Sequence, residues 1–444
     1  MTSNSVGSLP RKQRAIKKVV AWMVRLLYER VEVHQPPGAT SRGPELGVSN
    51  HFGGFADPLL LVYAMDRLPH FVARDVIWRT PVVGRILDWV GAIPVHKRED
   101  AGPGSDNRSM FRSTTAALRG GGLVVIFPEG ITVDDPSIAS IKTGAARIAL
   151  GAREDGVAGI EILPAGIHYE DKASLRSKVF VNIGRPIDLD DWVAAHAAGG
   201  GGTEDREAVA ALTDQVESLL RRTAPNFTDW REARALSTAA EVAIRNCEEH
   251  DREVGYAERE RIAADLAKAP QPEKDAVVDA VAAYQADLDA LGIGDRAMYA
   301  YRGRPRGILL NIVLTLLVGV LLLPFALVGL SINIVPIVLM WLVGRLKMAP
   351  AMFATVKPLA AVLFFGVAWG IELWAVARSG GAGWAALNVL LLPFYLFALI
   401  AVAERGVRLL RVAKALLRYR RSRSVGEEIY HHRTRVVEAV VAAL

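Results

Sequence analysis

Cysteine is almost missing from this chain of 444 residues: Cys247 stands alone. One thiol allows no internal disulfide and no cysteine-based metal site, a composition that suits a reducing cytosolic setting. Its neighbours Arg245, Asn246, Glu248 and Glu249 form a polar helical context, in which the thiol reads as inert. Aromatic residues are 7% of the chain and only sparsely interleaved with basic ones. No zinc-finger or helix-turn-helix spacing is present, so a nucleic-acid partner is not expected. The N-terminus is basic but lacks a long apolar run ending in a small-residue cleavage site, so no signal peptide is expected. No paired metal ligands stand out.

What is present points elsewhere. The formal charge is +6 and the pI about 9.4, a balance that suits an anionic partner such as phosphate or an acidic membrane surface. The length allows two or three domains. Residues 11–30 read as a basic amphipathic helix with Val19, Trp22, Met23, Leu26 and Leu27 at helical spacing. Such a stripe serves an interfacial membrane helix or a helix packed on the domain behind it, and both readings stay open. Residues 41–190 alternate apolar strand candidates (45–49, 70–73, 91–95, 123–127, 160–167, 179–183) with helical stretches such as 58–65, 110–118 and 143–152. This order predicts an α/β domain with a largely parallel sheet. Residues 191–300 open on a glycine run and are rich in Ala, Glu, Arg and Asp. They predict a helical subdomain with helices near 204–222, 229–252, 256–268 and 273–290.

From residue 301 to 405 the chain is membrane-like. Residues 308–344 carry no charge, and a spanning helix needs about 20 apolar residues. Two apolar pairs, 308–330 with 332–344 and 359–377 with 383–403, predict two helical hairpins that span or re-enter. Basic residues flank and separate them: Arg302, Arg304 and Arg306, then Arg345, Lys347 and Lys357, then Arg405, Arg408, Arg411 and Lys414. The positive-inside rule then puts all three groups, and the basic tail 406–444, on the cytoplasmic side. Glu372 is the one acid inside these segments.

The stretch with most chemistry is Asn50-His51-Phe52-Gly53-Gly54-Phe55-Ala56-Asp57-Pro58. Histidine can take and return a proton near neutral pH, and a carboxylate within reach can orient it. No serine or cysteine nucleophile stands in the stretch, so the pair would activate a hydroxyl brought by a substrate. Asp57 before Pro58 also reads as a helix N-cap with Pro at N1.

Three further motifs follow in order: Gly91-Ala92-Ile93-Pro94-Val95, Phe127-Pro128-Glu129-Gly130 and Leu163-Pro164-Ala165-Gly166. Together the four resemble the glycerolipid acyltransferase superfamily, which includes lysophosphatidate and glycerol-3-phosphate acyltransferases. The resemblance covers residues 40–190. It implies a membrane-bound O-acyltransferase in phospholipid synthesis, with the active site on the cytoplasmic side. His51 would be the general base and Asp57 its partner. Acyl-CoA or acyl carrier protein would supply the acyl thioester, with no metal or other cofactor. Lys97, Arg98 and Lys142 would hold the acceptor phosphate, and Glu129 with Gly130 the acceptor. The fourth motif lies near the acyl-donor side in the family and reads as structural here.

Two departures matter. The commoner pattern has four residues between His and Asp, and this chain has five. An aromatic residue two before the Asp and a Pro after it resemble a subgroup that includes fungal-type glycerol-3-phosphate acyltransferases. Where the family has Arg six residues after the glycine of the second motif, this chain has Lys97, followed by Arg98. The alternative to an enzyme is a lipid-binding membrane scaffold that keeps the fold without turnover. Intact His51, Asp57 and Glu129 argue against it.

Overall fold

The structure is a computed structural model that describes residues 10–39, 43–79, 81–96, 107–172, 174, 176–197, 201–247, 254–292, 294–295, 305–348, 350–421 and 423–444. The chain divides into two compact units, Met1–Trp230 with Ala349–Thr355, and Arg231–Met348 with Val356–Leu444.

The first unit is built on one eight-stranded sheet. Its strands are β1 (Arg30–His34), β2 (Glu45–Ser49), β3 (His70–Arg74), β4 (Ile93–Val95), β5 (Leu123–Ile126), β6 (Glu161–Tyr169), β7 (Lys178–Ile183) and β8 (Ile187–Asp188). The order is β1-β7-β6-β2-β5-β3-β4, with β8 on β6. Pairings are parallel except β6 with β7 and with β8. The central strand β2 is buried along its whole length, and β6 nearly so, because helices cover both faces of a parallel sheet. Helices α1 (Arg11–Leu27), α2 (Ala56–Ala64), α3 (Pro81–Val90), α4 (Arg108–Arg119), α5 (Gly144–Glu154), α6 (Leu189–His196) and α7 (Arg206–Thr223) complete the unit.

The sheet starts earlier than the sequence suggested. Helix α1 stops at Leu27, and β1 pairs with β7 from Arg30 to His34. The β-branched Val31 and Val33 favour the strand. The buried stripe of α1 is Ile16, Val20, Val24 and Leu27, while Val19 is 58% exposed. The helix therefore packs on the domain, rotated from the stripe read in the sequence. Helix α7 also belongs to this unit, not to the helical region that follows. Its Val209, Leu212, Val216 and Leu220 join the same core as the sheet. Its C-terminal end fits against β6 only because Gly166 has no side chain: a Cβ there would lie 2.0 Å from the Thr223 carbonyl oxygen.

Parallel topology gathers the carboxyl ends of β2, β5 and β6 along one edge. Asn50 extends that alignment past the last β2 pair. Its Oδ1 accepts from the Ile167 amide at 2.7 Å, and its Nδ2 donates to the Ile167 carbonyl at 3.0 Å. A buried side chain thus replaces one ladder rung, and the chain after Asn50 is free to turn.

The second unit is helical, with α8 (Trp230–Cys247), α9 (Tyr256–Leu266), α10 (Gln271–Leu291), α11 (Pro305–Val343), α12 (Pro350–Gly380), α13 (Ala382–Arg421) and α14 (Arg423–Ala443). Arg433 on α14 is 1% exposed. It donates to Asp295 at 2.8 Å, to Asn246 at 3.0 Å and to the Val242 carbonyl at 3.0 Å. Arg245 pairs with the same aspartate, and Tyr284 donates to it at 2.6 Å.

Among the described residues, three segments are long and apolar enough to cross a membrane: Ile312–Val343, Thr355–Gly380 and Ala382–Leu410. The first corrects the sequence reading. Residues 308–330 and 332–344 are one continuous helix, not a hairpin. No turn chemistry lies between them, and each proline inside the helix, Pro324 and Pro336, removes only one backbone donor. The three basic groups therefore no longer follow from two returning hairpins. Helices α11 and α13 pack closely at Gly329, where a Cβ would meet the Tyr395 carbonyl oxygen. Trp369 on α12 donates to Asn333 on α11 at 2.9 Å.

Replacing Asn50 by Ala leaves both Ile167 backbone groups without their partners. The expected cost is about 1–3 kcal/mol for each buried group left unpaired. Urea unfolding of the variant should show a lower midpoint with an unchanged slope.

Candidate active site

His51 leaves the end of β2, and the five residues that follow bring Asp57 back to it. The His51 Nδ1 lies 2.8 Å from Asp57 Oδ2. Gly54 takes a left-handed φ of +55° in the return, which glycine adopts without a steric penalty. Helix α2 begins at Ala56 with Phe55 as its N-cap. Asp57 is therefore not the N-cap expected from the sequence. It sits in the first turn with Pro58 after it, where a missing amide is harmless. Its carboxylate turns back to the Gly53 amide at 2.9 Å. The fifth intervening residue is absorbed by the glycine turn and by this early helix start.

His51 is held on every side but one. Its ring stacks on Phe127 with centroids 4.2 Å apart and planes at 19°. Its amide donates to Glu129 Oε1 at 2.8 Å, and its carbonyl accepts from the Val133 amide at 3.0 Å. With Nδ1–H turned to the carboxylate, Nε2 is the nitrogen left for a proton from a substrate. The side chain keeps 21% exposure, whereas Asp57 has none.

Glu129 departs from its expected place beside the acceptor. It is 1% exposed, and its second oxygen accepts from the Ala139 amide at 3.0 Å. Burial pushes its carboxyl up, and the two amide hydrogen bonds oppose that. It clamps the loop after β5 to the catalytic loop. Gly130 beside it is exposed, with φ +66°. A Cβ at Gly130 would lie 3.0 Å from Lys142 Nζ, so these two predicted residues are neighbours. The Lys142 amide donates to the Pro128 carbonyl at 2.8 Å.

Lys97 and Arg98 lie outside the described residues. The flanks of their loop are tied together: the His96 amide donates to Asn107 Oδ1 at 2.9 Å, and Asn107 Nδ2 donates to the His96 carbonyl at 3.1 Å. Among the described residues, no group of three or more His, Cys, Asp or Glu side chains is arranged to hold a metal ion.

Sequence reasoning missed Tyr169 and Lys172. Tyr169 ends β6 and donates to Asp57 Oδ1 at 2.5 Å. A tyrosine closing an apolar strand was the available signal. Lys172 is 5% exposed. It pairs with Asp134 at 2.8 Å and donates to the Val133 carbonyl at 3.0 Å, under the catalytic loop.

A histidine oriented by a buried aspartate, with no serine or cysteine in its own loop, can take a proton from a hydroxyl that arrives from outside. A family model described as acyltransferase matches residues 30–168. Glycerol-3-phosphate O-acyltransferase 2 of Saccharomyces cerevisiae is 32% identical over 126 residues, 28% of this chain and 16% of that protein. Glycerol-3-phosphate O-acyltransferase 1 of the same yeast is 25% identical over 134 residues, 30% of this chain and 17% of that protein. The match thus spans about a sixth of the length of these curated relatives. The crystal structure of the 1-acyl-sn-glycerophosphate (LPA) acyltransferase from Thermotoga maritima aligns with a TM-score of 0.34 and 20% identity, over 49% of this chain and 83% of that one. Residues 30–168, the core of the α/β domain, are thus similar to an acyltransferase domain.

A methyl group at Gly53 would lie 2.1 Å from the Tyr169 hydroxyl and 2.8 Å from Asp57 Oδ1. Gly53→Ala should therefore separate the His–Asp pair and lower turnover by about 100-fold or more, given the usual worth of a general base. Glu129→Gln can accept only one of the two amides and turns an N–H toward the other. Thermal melts should show it less stable than wild type.

Proposed function

We propose that this protein is a membrane-bound O-acyltransferase that moves a fatty acyl group from a thioester to a hydroxyl of glycerol 3-phosphate. The observation that carries the reading is the 2.8 Å contact of His51 with a fully buried Asp57. His51 Nε2 takes the proton of the acceptor hydroxyl as its oxygen attacks the thioester carbonyl. The tetrahedral oxyanion collapses, the carbon–sulfur bond breaks, and the imidazolium returns its proton to the leaving thiolate of coenzyme A or acyl carrier protein. Asp57 stabilises the imidazolium in between. The thioester is already activated, so the step as written needs no metal or other cofactor.

The amides of His51 and Gly53 point at Glu129 and Asp57, so neither serves a thioester oxyanion. Lys142 beside the exposed Gly130, with Lys97 and Arg98, supplies positive charge for the acceptor phosphate. Lys acts there as a point charge, and Arg forks to two oxygens. Glu129 acts through the backbone of His51, not on the acceptor. Glycerol 3-phosphate is favoured over lysophosphatidate by the five-residue His–Asp spacing and by the names of the yeast relatives. The apolar helices keep the protein at the lipid that receives its product. The cytoplasmic side, where acyl thioesters are made and a lone thiol stays reduced, is the side assigned to the α/β domain.

Purified full-length protein should acylate glycerol 3-phosphate from acyl-CoA or acyl carrier protein. His51→Ala should lose about 10²–10⁴-fold in rate. Acylation of lysophosphatidate instead would reassign the acceptor. Release of free fatty acid without acceptor would make the protein a thioesterase. Lipid binding that His51→Ala leaves intact, with no transfer by wild type, would make it a scaffold.

A further inference from the structure

The acid of the dyad has more partners than the dyad alone requires. Oδ2 of Asp57 faces His51 and the Gly53 amide. Oδ1 is taken by the Tyr169 hydroxyl at 2.5 Å, across 112 residues of sequence. An O–H donor at that distance to a carboxylate is a strong, charge-assisted hydrogen bond. Tyr169 is 6% exposed, and Tyr28, 8% exposed, lies against it with ring centroids 6.3 Å apart. Burial, and then the Asp57 charge, push both phenols well above the ordinary tyrosine range, so both keep their protons. The Tyr169 proton goes to Asp57.

Tyr28 is itself held in place. It caps the C-terminal end of α1, and Arg176 gathers that end. The Arg176 amide donates to the Leu27 carbonyl at 2.8 Å. Its guanidinium donates to the carbonyls of Arg25 at 2.5 Å and Tyr28 at 2.6 Å. Arg176 adopts φ +61° to do so, the one left-handed non-glycine among the described residues, a conformation that surrounding bonds must compensate.

We propose that Tyr169 is a positioning residue for acyl transfer: its hydroxyl pins Asp57 Oδ1 so that Oδ2 faces His51, and draws off part of the carboxylate charge, with the Tyr28 ring packed beside it. The proposal rests on the reading of His51 as general base. A carboxylate that shares its charge with a phenol stabilises an imidazolium less than an unshared one. Removing the hydroxyl returns the full carboxylate charge to the side that faces His51. Among the described residues, the other ionisable groups beside the pair include Tyr28, Glu129, which meets the His51 amide from the loop after β5, and Lys172 with Asp134, Lys172 donating to the Phe52 and Val133 carbonyls.

The test is kcat and KM for acyl transfer against pH, on the full chain, for wild type, Tyr169→Phe, Tyr28→Phe and His51→Ala. Tyr169→Phe keeps the ring and loses the hydroxyl. Its acidic limb should move up by about one pH unit, with kcat down about tenfold and acceptor KM unchanged. Tyr28→Phe, which keeps the Tyr169–Asp57 hydrogen bond, is the control: its limb should stay where wild type has it, and the outcomes that overturn the proposal are read on Tyr169→Phe. NMR titration of the His51 ring in Tyr169→Phe should show the same upward shift without turnover. An acidic limb that stays in place or moves down, or a loss of kcat that only follows the fraction of folded protein in thermal melts, overturns the proposal. If His51→Ala is as active as wild type, the general-base reading fails instead, and the two failures are told apart by that variant.

Discussion

A carboxylate with no access to water is the constraint on which the first unit depends. An unpaired charge in that position would cost many kcal/mol or would neutralise. Asp57 stays useful because three donors reach it: the His51 ring, the Gly53 amide and the Tyr169 hydroxyl. They come from the end of β2, the turn after it and the end of β6. Those places meet only because β2 and β6 run parallel and in register from Glu45 with Glu161 to Ser49 with Ala165. Asn50 then carries the alignment one step beyond the ladder. The sheet topology and the acid–base pair are thus one construction.

Glu129 repeats the logic a few ångströms of chain away. It is buried with both oxygens taken by amides, one of them His51's own. Together the two carboxylates fix the backbone and the ring of the histidine before any substrate arrives. What remains open is the exposed edge marked by Gly130 and Lys142. That division suits a domain that supplies a rigid base and takes its nucleophile from a diffusing or membrane-held acceptor.

The second unit answers a different solvent. Long apolar helices satisfy their backbone internally, and a proline costs such a helix one donor, not its continuity. This is why α11 runs unbroken through Pro324 and Pro336. Away from the apolar spans, the unit buries charge in a closed set. Arg245, Arg433 and Tyr284 converge on Asp295, which ties α14 to α8 and α10. Removing Asp295 would leave two buried arginines without their shared anion, so the set specifies one docking of the last helix.

Much of this was legible in the residues alone. Strand-length apolar runs separated by helical stretches placed six of the eight strands, and four short motifs in order carried the resemblance to an acyltransferase domain. The His–Asp pair, the apolar C-terminal region and the missing nucleophile are local properties, and local composition reports them. The start of β1, the membership of α7 and the single helix α11 were not legible. Each depends on what a segment packs against, or on the lack of a turn, and no window of sequence contains that. The same holds for the chemistry. The presence of His51 and Asp57 follows from the sequence. That a spacing of five closes to 2.8 Å, that Glu129 turns inward to the backbone, and that a tyrosine 112 residues away shares the aspartate's charge were decided by tertiary structure. A buried carboxylate selects its donors by distance in space, and distance along the chain says nothing about that.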